Sequence, residues 1–240
     1  FGACGLPYYA GGFFDDSNEM IARTAEEFRK TGINLFTNHE VLEVDFDNKK
    51  LRVKDLIQNM IIEESYDKLM IASGASSIIP PIKGIDSENV LTLKSMDDGN
   101  KLRALMENEN LKRVTVIGAG FIGVEAIEAA KKRGKEVTVV QLQDRILAEV
   151  FDEEITNLLE EEIRKHDVNL LLDETVMEIT TAGKVTNIKT NKREFETDIV
   201  IVATGFRPNT AFVKNEKLEM LKNGAIVVDK YGRTSIEDVY

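Results

Sequence analysis

The sequence predicts an α/β fold in which a parallel sheet is wound by helices, and three observations carry that expectation. From Arg113 onward, short apolar strands alternate with helical segments: Arg113–Ile117, Phe121–Arg133, Glu136–Gln141, Asp152–Lys165 and Val168–Leu172. That alternation is the mark of βαβ units. A glycine-rich turn, Gly118-Ala-Gly120-Phe121-Ile122-Gly123, joins the first of these strands to its helix. Upstream of Arg113 the pattern is instead one of short strands and turns, so a second part of the chain is expected to be built differently.

The elements follow in order. Phe1 to Phe14 is glycine-rich and aromatic, with Gly2, Gly5, Gly11 and Gly12 around Pro7, and is assigned no regular element. Thr24-Ala-Glu-Glu27 is a capping box, which starts a helix at Ala25 that stops at Gly32. Ile33–Phe36 and Glu40–Phe46 read as strands. Asp47-Asn48 turns the chain into Lys50–Lys54, and Ile61–Glu64 follows as its neighbour. Tyr66–Ala72 is an apolar run that reads as a buried strand, ending in Ser73-Gly74-Ala75. Ser95-Met-Asp-Asp98 opens a helix to about Glu109. In the helix Asp152–Lys165, Ile155, Leu158, Leu159 and Ile163 share one face, which is expected to be buried. Val168–Leu172, Val176–Thr180, Lys184–Lys189 and Glu196–Ala203 are strands, then Ala225–Asp229 and a return at Thr234–Tyr240.

Composition excludes several classes of function. The chain of 240 residues has 42 acidic and 31 basic side chains, a net charge of -11. Such a surface does not favour nucleic acid or anionic membranes, so neither is expected as a partner. No apolar run approaches the length of a membrane span. One cysteine, Cys4, allows no internal disulfide, which fits a cytoplasmic location. The two histidines, His39 and His166, lie far apart and are read as surface residues, and no metal site is expected. The chain opens on Phe1 rather than Met and ends after an extended-looking segment, so it is expected to be part of a longer protein, cut at both ends.

The glycine turn carries the strongest chemical signal. A lone GxGxxG is weak, but this one follows an apolar strand, opens a helix and is followed by a second strand. Gly118 allows the tight turn, Gly120 lets a pyrophosphate approach the backbone, and Gly123 lets helix and strand pack closely. Amides at the helix start, those of Phe121 and Ile122 among them, then bind phosphate. The unit is thus a Rossmann dinucleotide site. At the end of its second strand, where a carboxylate usually holds the ribose, stands Gln141, which leaves NADH against NADPH open.

Cys4, in Ala3-Cys4-Gly5-Leu6-Pro7-Tyr8-Tyr9, would by itself be read as an inert buried residue. The order of four motifs changes that reading. Cys4-Gly-Leu-Pro-Tyr is followed by Tyr66-Asp67 leading into Ala72-Ser73-Gly74-Ala75 with Pro80-Pro81. Gly118-x-Gly-x-x-Gly123-x-Glu125 comes next, and then Ala203-Thr-Gly205-x-Arg207-Pro208-Asn209. In that combination the chain resembles the flavoprotein pyridine nucleotide-disulfide reductases, along essentially its whole length. It is most similar to their single-cysteine branch of coenzyme A-disulfide reductases, NADH oxidases and NADH peroxidases. The dithiol branch has a second cysteine five positions on, where this chain has Tyr9. Leu6-Pro7-Tyr8 looks more like coenzyme A-disulfide reductase than peroxidase.

The resemblance implies an FAD/NAD(P)-binding fold. A Rossmann-type NAD(P) domain at 98–218 would be inserted in an incomplete FAD-binding domain made of 1–97 and 219–240. It implies an enzyme that passes electrons from NADH or NADPH through FAD to Cys4. Ala72, Ser73, Gly74, Ala75 and Gly205 would serve the cofactors alongside Gly118, Gly120, Phe121, Ile122, Gly123, Glu125 and Gln141. Coenzyme A disulfide is the first acceptor it suggests and oxygen, in a water-forming oxidase, the second. The full-length protein would be a homodimer, and this chain alone would hold FAD weakly or not at all. Two readings of other kinds stand beside it: a non-catalytic dinucleotide-binding module or redox sensor, and a flavin reductase for a small electron-carrier protein in which Cys4 is incidental.

Overall fold

The computed structural model describes all residues except Gly183, Lys184 and Lys214, and the side chains of Ala182 and Val185. Along the chain run α1 (Leu6–Gly11), α2 (Ala25–Lys30), β1 (His39–Asp45), β2 (Lys50–Asp55), β3 (Met60–Ser65), β4 (Ala75–Ser77) and β5 (Val90–Leu91). There follow α3 (Met96–Glu107), β6 (Arg113–Ile117), α4 (Phe121–Lys132), β7 (Glu136–Val140), α5 (Glu153–Lys165) and β8 (Val168–Leu171). The last strands are β9 (Val176–Ala182), β10 (Val185–Thr190), β11 (Glu194–Thr197), β12 (Ile199–Val202) and β13 (Phe206–Pro208). Two compact units form, one from Phe1–Ala22 and Ser77–Gly205, the other from Arg23–Ser76 and Phe206–Tyr240. These units divide the chain differently from the boundaries expected at 97 and 218. Residues 1–22 belong with the first unit because α1 packs on α3 and α4.

In the first unit, five strands form a parallel sheet in the order β5-β12-β6-β7-β8. Taken from β8, the strands β8-β7-β6-β12 have the 3-2-1-4 order of a doubly wound dinucleotide-binding fold, and β5, which precedes them in the chain, adds in parallel at the edge. Its central strands are apolar on both faces, as a sheet covered on both sides requires: Val114, Val116, Val139, Ile199 and Ile201 are fully buried. One face carries α3, α4 and α1 on a core that includes Leu102, Ala126, Ile127 and Leu6. Behind the other face Ile117, Val140, Val200 and Val202 pack with Ile179 and Ile188 of the antiparallel sheet β9-β10-β11.

The second unit holds the antiparallel sheet β1-β2-β3 and the β4–β13 pair. Its core is Val44, Phe46, Val213, Leu218 and Val239, with Tyr66, Leu69 and Ile71 packed against it.

Several expected elements differ. Leu6–Gly11 is helical, with Pro7 in its first turn and Gly12 in the left-handed region closing it. Pro there lacks only an N–H that a helix start leaves unused. Ile33–Phe36 is not a strand. Tyr66–Ala72 is not a strand: it bends at Asp67-Lys68 and makes one parallel bridge, Leu69 to Val239, with Tyr66, Leu69 and Ile71 half-buried against the core and Asp67, Lys68, Met70 and Ala72 exposed. Glu196–Ala203 splits in two. Its first part pairs in the antiparallel sheet and its second in the parallel one, and Asp198 between them accepts the N–H groups of Lys112 and Arg113. Ala225–Asp229 and Thr234–Tyr240 form no strands. β10 starts at Val185, and Lys184 lies outside the described residues.

On α5 the helix forms as expected, but the buried positions are Thr156, Glu160 and Ile163, while Ile155 and Leu158 are 52% and 65% exposed. Glu160 is turned inward because its carboxylate accepts the Ile146 N–H and pairs with Arg164. His166 is exposed as expected, whereas His39 is half-buried, with Nε2 3.9 Å from an Asp55 carboxylate oxygen.

Candidate functional site

The glycine turn sits where the strand order reverses. β6 is followed by β7 on one side and neighbours β12 on the other, and such a switch point opens a crevice beyond the strand ends. Gly118 has φ +95°, and a Cβ on it would lie 2.5 Å from the Ala203 carbonyl oxygen, so only glycine fits. A Cβ on Gly123 would fall 2.1 Å from the Gly118 carbonyl oxygen, which is how closely the first turn of α4 sits on the loop. Gly120 differs from both. It is the N-cap of α4, and a Cβ there meets nothing within 4 Å. No side chain caps α4, and no acidic residue lies in its first turn. The helix therefore offers its amides and the positive end of its dipole to an open space, the environment a phosphate needs.

Phe121 is exposed and stands edge-on to Phe151, with ring centroids 6.1 Å apart, while Ile122 is half-buried. Glu125, one turn into α4, is half-buried, and burial, with Glu128 nearby, pushes its carboxyl up from the ordinary value. Gln141 follows β7 and is only 7% exposed. Its Oε1 accepts the Ala119 N–H at 3.0 Å, and its Nε2 donates to Gln143 Oε1 at 3.0 Å and to the Arg145 carbonyl at 3.3 Å. The side chain thus supports the glycine loop from beneath. Arg145, whose direction the sequence leaves open, donates to the carbonyls of Phe151 and Ala148.

Cys4 lies in a single 3-10 turn ahead of α1 and is exposed. The segment it belongs to is fastened at its other end. Arg103 of α3 donates to the Phe14 carbonyl at 2.8 Å, pairs with Asp15 and stacks on the Tyr9 ring. Arg133 donates to the Ala10 carbonyl at 3.0 Å and pairs with Glu107. Guanidinium groups at the C-terminal carbonyls of a helix complement its dipole. A Cβ on Gly11 would come within 2.9 Å of Ala129 Cα, so α1 and α4 touch backbone to backbone. Sequence reasoning missed both arginines. Nothing in their spacing marks them, since their partners are backbone carbonyls far away in the chain.

Gly118, Gly120, Gly123, Glu125, Gln141, Gly205 and Cys4 all belong to the first unit, and Gly118 and Gly123 converge on Ala203. Gly205, with φ +108°, accepts the Ile78 N–H. Ala72, Ser73, Gly74 and Ala75 belong to the second unit. There Asn209, at the end of Gly205-x-Arg207-Pro208-Asn209, ties their turn. Its N–H donates to the Gly74 carbonyl, its Nδ2 to the Ser73 carbonyl, and its Oδ1 accepts from Ser76. Ala72 and Ser73 line a cleft of about 770 Å³ within this unit, with an apolar wall of Val41, Val44, Leu51 and Leu69 and polar Arg207 and Asn209. An apolar wall with a few polar groups suits a ring-bearing cofactor with a polar tail. Among the described residues no three His, Cys, Asp or Glu side chains could hold a metal ion, and no helix is long and apolar enough to cross a membrane.

Residues 3–240 match the family described as pyridine nucleotide-disulphide oxidoreductase. The chain belongs to that family. Names of two kinds stand among its curated relatives in the pyridine nucleotide-disulphide oxidoreductases, NADH oxidase and NAD(P)H sulfur oxidoreductase. It is 39% identical over 242 residues to the NADH oxidase of Enterococcus faecalis, covering all of this chain and 54% of that protein. It is 36% identical over 239 residues to the CoA-dependent NAD(P)H sulfur oxidoreductase of Pyrococcus abyssi, covering 99% of this chain and 52% of that one. Among solved structures, the water-forming NADH oxidase from Lactobacillus brevis bound to NADH matches with a TM-score of 0.93 and 39% identity, over 99% of this chain and 52% of the other. The chain therefore spans about half the length of the curated relatives it matches.

Proposed function

We propose that the protein carrying this chain is an FAD-dependent NAD(P)H oxidoreductase that reduces coenzyme A disulfide through Cys4. The observation that carries the reading is that one compact unit combines an open glycine loop at a bare helix start with the chain's one cysteine, held at the surface. NADH or NADPH would lie on Gly118, Gly120, Phe121, Ile122 and Gly123, with Glu125 and Gln141 beside it. Ala72, Ser73, Gly74 and Ala75 would form part of the FAD site, Gly205 would be a further cofactor-binding residue, and the FAD domain would be drawn from 1–97 and 219–240 with the NAD(P) domain at 98–218 inserted in its sequence. Bound FAD would supply the relay that turns a hydride into an electron pair delivered to sulfur.

Cys4 does the rest. Its thiolate attacks one sulfur of coenzyme A disulfide, forming a mixed disulfide and releasing one coenzyme A thiolate. The electron pair from NAD(P)H then cleaves that mixed disulfide, returning the Cys4 thiolate and the second coenzyme A. The Leu6-Pro7-Tyr8 that follows the cysteine supports this acceptor. The 39% identity to NADH oxidases supports a second one, oxygen reduced to water, with Cys4 cycling through a sulfenic acid. The enzyme would act as a cytoplasmic homodimer.

The test is Cys4→Ser in the full-length protein. Flavin and nucleotide binding should persist while coenzyme A-disulfide reduction falls by at least a hundredfold, and the wild-type protein should show a coenzyme A adduct on Cys4 by mass spectrometry. Full disulfide reduction by the variant overturns the role of Cys4. Turnover of oxygen but not of the disulfide by the wild type selects the oxidase, and a colourless full-length protein refutes both.

A further inference from the structure

Cys4 is exposed, and the backbone on both sides of it is held by one residue, Met20. On one side the Gly2 N–H donates to the Met20 carbonyl at 2.7 Å. On the other, a Cβ on Gly5 would stand 2.9 Å from Met20 Cγ and 3.0 Å from its sulfur, so the methionine side chain lies directly on the Gly5 backbone. Met20 is buried and closes the 3-10 turn Ser17–Met20, whose start is capped by Asp16 accepting the Asn18 N–H at 2.9 Å. Residues 14–20 therefore form a strap that leaves the end of α1 and returns to the turn bearing Cys4.

Arg103 of α3 is the group that closes this strap. One terminal nitrogen donates to the Phe14 carbonyl at 2.8 Å and to the Tyr9 carbonyl at 3.4 Å. The other reaches Asp15 Oδ1 at 2.6 Å, and Nε donates to Glu107 Oε1 at 2.8 Å. A single planar guanidinium thus grips the last turn of α1 and the first residues of the strap together. The Asp15 carboxylate is exposed, so that ion pair alone contributes little, and the two backbone carbonyls do the joining. Leu6, two residues after Cys4, fixes α1 along its length: it is fully buried, and a Cβ on Gly99 of α3 would come within 2.7 Å of its Cδ2.

We propose that Arg103 is a positioning residue for Cys4, acting through the strap and Met20. This rests on the reading of Cys4 as the redox thiol. A mixed disulfide is cleaved by an electron pair that arrives from a fixed direction, and displacing the reacting atom by about 1 Å costs up to about a hundredfold in rate. Pinning the backbone at Gly2 and Gly5 keeps that direction while the sulfur stays open to substrate.

The test is steady-state coenzyme A-disulfide reduction by the full-length protein, well below the melting temperatures of all variants. Arg103→Lys keeps the charge but not the fork that spans both carbonyls. It should lower kcat by about tenfold to a hundredfold. KM for NADH and flavin content should stay within twofold, and so should alkylation of Cys4 by iodoacetamide, followed on its peptide by mass spectrometry. A small reagent attacks an exposed thiol from any side, so its rate reports the thiol and not its aim. Met20→Ala should lower kcat in the same way, and the double variant should be no slower than the slower single, because both act on one path. Asp198→Asn, which weakens the same unit elsewhere, should keep kcat within twofold. Wild-type kcat in Arg103→Lys overturns the proposal, and so does a double variant whose losses multiply. Where Arg103→Lys does not fold, Met20→Ala decides alone, and wild-type kcat in it overturns the proposal. Full disulfide reduction by Cys4→Ser overturns the reading of Cys4 itself, whereas an inactive Cys4→Ser beside a fully active Arg103→Lys removes only the positioning role.

Discussion

The three glycines of the loop should fail in two different ways when substituted, and the contrast tests the whole assignment. At Gly123 a Cβ would stand 2.1 Å from the Gly118 carbonyl oxygen and 3.0 Å from its carbon, both backbone atoms that cannot rotate aside. Gly123→Ala must therefore lift α4 off the loop. Overpacking of this kind costs about 1–3 kcal/mol, and each kcal/mol lowers Tm by roughly 2–4 °C in a protein of this size. A drop of about 2–12 °C is expected by that scaling, together with weaker nucleotide binding. At Gly120 a Cβ meets nothing within 4 Å, and φ is an ordinary -78°. Gly120→Val should therefore fold, losing less than about 1 kcal/mol as a poorer N-cap. Its isopropyl group would instead fill the space before the first amides of α4. Losing two charge-assisted hydrogen bonds at about 1.5–3 kcal/mol each weakens binding by more than about a hundredfold. Calorimetry on the full-length protein measures both quantities, as Tm without ligand and as Kd for NAD⁺. Gly120→Val binding NAD⁺ normally would refute the placement of the pyrophosphate, and Gly123→Ala melting like wild type would refute the close packing of loop and helix.

Two further outcomes follow from side chains around the same sheet. Gln141→Glu places an acceptor-only group against Gln143 Oε1 and the Arg145 carbonyl, so it should lower stability by about 1–2 kcal/mol rather than simply improve an NADH site; a Tm equal to wild type would mean that the amide donors are not needed. Burial opposes ionisation of Asp198, but the Arg113 guanidinium and the N–H groups of Arg113 and Lys112 outweigh it and hold the carboxyl below its ordinary value. A depressed value in the folded state means that the stabilisation is complete above about pH 4 and is lost as pH falls through the folded value. Asp198→Asn should cost about 2 kcal/mol at neutral pH, discounted for the partly exposed Arg113, and the difference from wild type should shrink below pH about 4 in urea unfolding curves. A difference that does not change with pH would sink this account.

The way the reading from sequence met the structure depended on how local each signal was. β6, α4 and β7 form where expected, within a residue or two, because strand, glycine turn and helix are specified by neighbours in the chain. The capping boxes at Thr24 and Ser95 are both present. Assignments failed where the outcome depended on what packs nearby. The apolar stripe of α5 is partly exposed because Glu160 is drawn inward by the Ile146 N–H. Tyr66–Ala72 reads as buried on hydrophobicity alone, yet a run of apolar residues says nothing of whether both its sides are covered.

By itself, then, the amino-acid sequence determined the doubly wound class, the place of the glycine loop between β6 and α4, and the need for glycine at the tight turn of Gly118 and the close approach of Gly123. Tight turns and helix starts are local chemistry, and a GxGxxG between strand and helix leaves few alternatives. Only the tertiary structure decided what Gln141 does and how the Cys4 segment is held. Those outcomes turn on partners remote in sequence: the Ala119 N–H is 22 residues from Gln141, and the carbonyls that Arg103 and Arg133 bind are about 90 and 120 residues away. A hydrogen bond acts over about 3 Å in space whatever the separation along the chain, so such pairings exist only once the sheet has brought their ends together.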